Sequence, residues 1–119
     1  MSAMAYVDGF VTAVPKEKKQ EYIESARWFA AYVKELGATR CVDCWGDDVP
    51  EGKVTDFRRA VKAEDSEVVC FSWIEYPSKA VRDAVNEKMM SDPRMKDAPM
   101  PFDGKRMIYG GFMPVHDGS

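Results

Sequence analysis

Glu67 to Met95 reads EVVCFSWIEYPSKAVRDAVNEKMMSDPRM, and the order of residue types along it sets the architecture. The first part, to Tyr76, is rich in β-branched and aromatic residues (Val68, Val69, Phe71, Trp73, Ile74 and Tyr76), which predicts a strand. Pro77 has no amide hydrogen to give a sheet ladder and closes that strand. Ser78 then stands where a helix N-cap belongs, its hydroxyl placed to accept from a free amide of the first turn. Val81, Ala84, Val85 and Met89 recur at helical spacing and make one apolar stripe. Asp92-Pro93 repeats the cap-then-proline pattern and predicts one further helical turn. Ser78 and Ser91 are therefore punctuation, since neither has a histidine partner for nucleophilic work.

Upstream, AYVDGFVTAV (Ala5–Val14) alternates as a strand, with Tyr6, Asp8, Phe10 and Thr12 on one side and Val7, Gly9, Val11 and Ala13 on the other. Pro15 ends it and opens KEKKQEYIESARWFAAYVKELG, whose Tyr22, Ile23, Ala26, Phe29, Ala30, Val33 and Leu36 fall at helical spacing before a Gly37 cap. Trp28 and Tyr32, one turn apart beside that stripe, mark a second contact surface. A second strand runs over Thr39–Gly46, followed by the turn-rich DDVPEGK. Val54–Ala63 reads two ways: a short helix capped by Thr55 or Asp56, or a strand with Phe57, Arg59 and Val61 alternating. The strand is the preferred reading. Downstream, Ala98–Gly104 is a proline-broken loop and Lys105–Pro114 a final strand; residues 114–119 are expected to fray. The order β-α-β-(β)-β-α-β is the ferredoxin-like pattern of an α+β domain spanning 1–119, with both helices on one face of an antiparallel sheet.

Composition narrows the function. The chain has 119 residues, 45% hydrophobic and 31% charged, with net charge −3, which suits one globular domain and opposes general nucleic-acid affinity. No apolar run approaches the roughly 20 residues that cross a bilayer, so no membrane association is expected. The start, MSAMAYVDGF, lacks the basic residues of a secretion signal, and three cysteines fit a reducing compartment, so the expected location is cytoplasmic.

Two helices cover one side of a sheet. The small residues Val7, Gly9, Val11 and Ala13 are the expected helix side of the first strand, with Val42 and Cys44 on the second and Val68, Cys70, Ser72 and Ile74 on the third. Cys44 and Cys70 would then be neighbouring thiols. The far side would carry Tyr6, Phe10, Trp45, Phe71 and Trp73, more apolar surface than a monomer usually leaves bare. A second copy of the same face, related by a twofold axis, is the expected cover, giving a homodimer.

YVDGFV (6–11), VTDFRRAVKAE (54–64), FSWIEYPSKAVRD (71–83), MMSDPRM (89–95) and MPFDGKRMIYGGF (100–112) together resemble the YbaA-like family of bacterial proteins of unknown function. The resemblance implies the dimeric α+β barrel superfamily, in which two ferredoxin-like protomers meet sheet to sheet. It implies no reaction, because superfamily relatives range from cofactor-free enzymes to plain ligand binders.

Three carboxylates, Asp8, Asp43 and Glu75, are assigned to the inner face among aromatics and are the catalytic candidates, since a buried carboxylate makes a general base. The competing reading pairs them with Arg40, Arg59 or Arg106, or with Tyr6 and Tyr109. Tyr6, Phe10, Trp45, Trp73 and Tyr109 are the ligand-binding candidates. Cys41-Val-Asp-Cys44 has metal-like spacing, but on a strand the two thiols point to opposite faces, so neither metal nor cofactor is expected. His116, alone near the end, is a poor haem ligand. Gly110-Gly111 predicts a bulge or a close helix approach. The late methionines, from Met89 to Met113, either line an adaptable pocket or fill gaps. The leading expectation is a small apolar or aromatic molecule bound at the sheet or dimer seam. A non-catalytic interaction module and a cofactor-free monooxygenase- or isomerase-like enzyme are the alternatives.

Overall fold

The computed structural model describes residues 5–98 and 100–118. Four strands, β1 (Tyr6–Pro15), β2 (Arg40–Trp45), β3 (Glu67–Tyr76) and β4 (Ile108–Phe112), form one sheet in the order β2-β3-β1-β4. Every neighbouring pair is antiparallel. The long helix α1 (Lys19–Leu36) links β1 to β2, and α3 (Lys79–Ser91) links β3 to β4 through the single turn α4 (Pro93–Lys96). Each helix thus joins two strands that have a third between them, which is the split βαβ, ferredoxin-like arrangement.

Local chemistry sets the boundaries. Pro15 leads into a 3-10 turn, Lys16–Lys18, and then α1. The helix stops at Gly37, whose φ of 137° a side chain would resist, while its amide donates to the Val33 and Lys34 carbonyls. The Ser78 hydroxyl accepts from the Val81 amide at 3.1 Å, and the Asp92 carboxylate accepts from the Arg94 amide at 2.9 Å. Both caps fall where Pro77-Ser78 and Asp92-Pro93 placed them.

Val54–Ala63 forms no strand. Phe57–Ala60 is a helical turn, α2, capped by Asp56, whose two oxygens accept from the amides of Arg59 (2.7 Å) and Gly52 (3.1 Å). A side chain that satisfies amides before and within the turn outweighs the alternation of Phe57, Arg59 and Val61. The last strand is also shorter than Lys105–Pro114. Arg106 is drawn off the ladder by Glu67, to which its two terminal nitrogens donate at 2.8 and 2.7 Å.

The register inverts the expected faces of two strands. Asp8 lies opposite Ile74, Thr12 opposite Cys70, and Asp43 opposite Ser72. The helix-covered face therefore carries Tyr6, Asp8, Phe10, Thr12 and Val14 with Cys41, Asp43 and Trp45. Tyr6, Ile74 and Tyr76 pack there against Tyr32, Val33 and Val85, and Val14 and Cys70 pack against Tyr22. Val7, Gly9, Val11, Ala13, Val42 and Cys44 face the other way. Only β3 has the expected faces, with Cys70 and Ile74 under the helices and Phe71 and Trp73 opposite. Cys44 and Cys70 accordingly lie on opposite sides of the sheet. Val61, from the chain just after α2, is fully buried against Val11, Ala13 and Val69 and covers one corner of the second face.

Candidate functional site

Outside the corner that Val61 covers, which takes in Val11, the second face is open, and the register lays it out as three rows across β2, β3, β1 and β4. They are Cys44-Phe71-Val11-Ile108, Val42-Trp73-Gly9-Gly110 and Arg40-Glu75-Val7-Phe112. Phe71, Ile108 and Phe112 are 43%, 44% and 61% exposed. Phe57 of α2 meets Phe71 edge-on at 6.2 Å, and Phe71 meets Trp73 at 6.0 Å, so the rings are contiguous. The middle row has no side chain at Gly9 or Gly110. The Phe112 ring leans over both, within ordinary contact of where their Cβ atoms would be. Glu75 is the only one of the three candidate carboxylates on this face. It is buried, its Oε2 accepts from Trp73 Nε1 at 2.8 Å, and Arg40 lies 3.5 Å away.

Asp8 and Asp43 stand on the helix-covered face, so the three carboxylates do not form one site. Asp8 is buried and fully occupied: Tyr76 Oη donates to it at 3.0 Å, and Arg82 Nε donates at 3.0 and 3.2 Å. The Arg82 guanidinium also lies over the Tyr6 ring at 5.3 Å. Burial first, then the Asp8 charge, pushes the Tyr76 hydroxyl pKa up. Gly111, opposite Asp8 on β4, makes room for this cluster, because a side chain there would collide with the Tyr6 hydroxyl and the Arg82 guanidinium. The glycine pair thus serves a close approach within a regular ladder. Sequence reasoning did not single out Arg82; its signal was an arginine next to Val81, on the helix turn that immediately follows β3.

Asp43 sits on the edge strand β2. The residue is exposed, yet its carboxyl is engaged: Tyr22 Oη of α1 donates to it at 3.3 Å and Cys41 Sγ at 3.9 Å. Desolvation raises its pKa, against the hydrogen bonds of Tyr22, Cys41 and Ser72 that lower it. Burial, then the Asp43 charge, pushes the Cys41 thiol up to about 12; burial also carries Cys70 to about 11. Both stay protonated near neutrality and are poor nucleophiles. Cys41 and Cys44 lie on opposite faces. Among the described residues no group of three or more His, Cys, Asp or Glu side chains is arranged to hold a metal.

The ligand-binding candidates divide likewise. Trp73 alone is on the open face. Tyr6 is buried under α3, and Trp45 packs on Tyr22 at 5.9 Å. Phe10 stacks at 6.4 Å on Tyr109, which is 74% exposed on the helix side of the edge strand β4. Ile108 and Phe112 were missed, although the alternation of IYGGF places both opposite Tyr109. Met89 and Met95 pack on the core, whereas Met90, Met100 and Met113 are exposed, so the methionines do not line a common pocket.

Fold and faces together define an α+β protein with a four-stranded antiparallel sheet, helices over one face and an exposed apolar surface on the other. The chain belongs to the family described as "Protein of unknown function (DUF1428)", whose profile matches residues 5–104. It is 67% identical over 116 residues to "Uncharacterized protein YbaA" of Escherichia coli K12, covering 96% of this chain and 99% of the relative. The protein of that name from Shigella flexneri matches equally. Among solved structures, Rv0793 from Mycobacterium tuberculosis is similar at 12% identity and a TM-score of 0.48, covering 96% of this chain and 99% of its own. A putative PII-like signaling protein from Thermus thermophilus follows at 12% and 0.32, covering 93% and 89%. Neither likeness is close enough to bear on function. Among the described residues no helix is long and apolar enough to cross a membrane.

Proposed function

We propose that this chain works as a homodimer, its open sheet faces opposed in a dimeric α+β barrel, and holds a small apolar or aromatic molecule at the seam. The carrying observation is the contiguous row of half-exposed rings on the open face. Phe57, Phe71 and Phe112 together leave bare on the order of 300 Å² of aromatic surface, before Ile108 and Trp73 are added. That already reaches the size of the largest apolar patch on a typical monomer, about 300–600 Å², and such patches are often functional. A second copy is the occupant best matched to the patch, because a twofold axis makes a flat apolar face self-complementary, with sheets about 10 Å apart. Between two such sheets the Gly9-Gly110 strip would leave volume beside Trp73, and that volume supports the ligand reading. Catalysis is not part of the proposal, since Asp8 and Asp43 are engaged elsewhere and Glu75 is held by Trp73.

Sedimentation velocity at micromolar concentration is expected to give a dimer, and Phe71→Lys with Phe112→Lys a folded monomer. A wild-type monomer would overturn the reading. Thermal shift with indole, menadione and a phenyl lactone tests the seam. At least one probe should raise the melting temperature of the wild type but not of Gly9→Val, and no shift with any of them would remove the ligand.

A further inference from the structure

On the opposite side of the molecule, α1 and the chain after α3 enclose a groove of about 670 Å³. That volume lies within the roughly 300–1,000 Å³ typical of small-molecule sites. One wall is Glu21, Glu24, Ser25 and Trp28, spaced so that they share one side of α1, with Lys18 of the 3-10 turn just before it. Arg94, Asp97, Met100 and Pro101 contribute to the other wall. Trp28 is 40% exposed, yet its ring is held: it stacks on Tyr32 at 5.1 Å with 12° between planes. Tyr32 is in turn anchored by its hydroxyl, which donates to Asp92 at 2.7 Å.

The charges in this groove are unevenly satisfied. Arg94 is already paired, with Asp92 and Glu35 each at 3.1 Å and the Tyr32 ring 4.7 Å beneath it. Glu21, Glu24 and Asp97 enter no ion pair among the described residues, and Lys18 is the only cation of the lining left to offset them. The groove thus joins a fixed, half-exposed indole to an excess of carboxylates. Tryptophan is the aromatic that best attracts a cation over its face. An anionic ligand would be opposed by Glu21, Glu24 and Asp97, and a neutral one would leave those charges unused.

We infer that this groove binds a small organic cation, an ammonium on an apolar body, with the charge beside Glu21, Glu24 and Asp97 and the body against Trp28 and Met100. The site is separate from the open sheet face and does not depend on dimerisation.

The test follows the indole ¹H–¹⁵N signal of Trp28, assigned by its loss in Trp28→Phe, during titration with choline chloride, with benzyltrimethylammonium chloride, and with 3,3-dimethylbutan-1-ol as choline's neutral isostere. Saturable shifts with the two cations and none with the alcohol are expected. Glu21→Gln with Glu24→Gln should weaken cation binding about tenfold or more, as expected when a partly desolvated cation loses its counter-charges, while the melting temperature stays unchanged. Gly9→Val should leave cation binding intact, so this site stands or falls apart from the seam. No saturable shift, an equal response to the alcohol, or undiminished binding by the double variant would each overturn the inference.

Discussion

On the helix-covered face, Asp8 is gripped by Arg82 and Tyr76 and Asp43 by Tyr22, while on the open face of the same sheet Phe71, Ile108 and Phe112 stand 43%, 44% and 61% exposed. The covered face holds two of the three candidate carboxylates and pairs both within one protomer, leaving the buried Thr12 hydroxyl without a hydrogen-bond partner among the described residues. The open face carries the apolar rings and leaves them uncovered. This distribution is opposite to that of a sheet with one buried and one solvated face, where polar groups face water. The covered side has its packing and its carboxylate partners in place; the open side leaves large rings without a second wall.

That contrast can be broken from either side. The largest effect is expected from Arg82→Met, which leaves the buried Asp8 carboxylate without its cation. Loss of one partner of such a pair costs about 3–5 kcal/mol, so urea unfolding should show a marked drop. A change within the noise would mean that Asp8 is not confined as described. Next, Val61→Ala empties the one corner of the open face that is already packed, at about 2 kcal/mol from lost methyl groups and the cavity left behind. If Val61→Ala is silent, that corner is open too.

Acid should weaken the fold at the entrance to β3. The bidentate Arg106 contact, helped by the Glu64 amide, holds Glu67 well below its ordinary 4.5, at about 2. A depressed carboxylate stabilises the fold fully above the unfolded value and loses that contribution as pH falls toward the folded one. Wild-type stability should therefore decline between about pH 4.5 and 2, and Glu67→Gln should flatten that part of the curve. Unchanged acid curves would sever the link between Arg106 and the β3 entrance.

Phe71→Lys sharpens the comparison further. Within a protomer it should change stability by no more than about 0.5 kcal/mol, as for ordinary surface changes, yet it should abolish any dependence of melting temperature on protein concentration. The smallest effect is a rate. Cys44 is exposed on the open face of the protomer, whereas Cys70 is buried and Cys41 is pushed up to about 12. Iodoacetamide should label Cys44 first in Phe71→Lys and more slowly in the wild type, where a partner would shield it. Equal labelling of both would argue that the face is bare in solution.

The amino-acid sequence by itself determined the elements whose signals are local. Pro77-Ser78, Asp92-Pro93 and the Gly37 stop mark helix ends because the caps are made by side chains a few residues away. The β-branched and aromatic residues between Glu67 and Tyr76 mark a strand, and the order of elements follows from these signals. Family membership was legible too, in long motifs. Only the tertiary structure decided which way β1 and β2 face. Strand periodicity gives two alternating sets of residues but not the side on which a helix lies, and both sets of β1 contain apolar residues. The choice rests on Arg82, 74 positions from Asp8 in the chain, and on Tyr22 reaching Asp43, contacts that exist only once the helices have docked. Packing likewise decided that Val54–Ala63 is a capped turn over Val11 and Val69, since a short amphipathic segment takes the conformation that buries Val61.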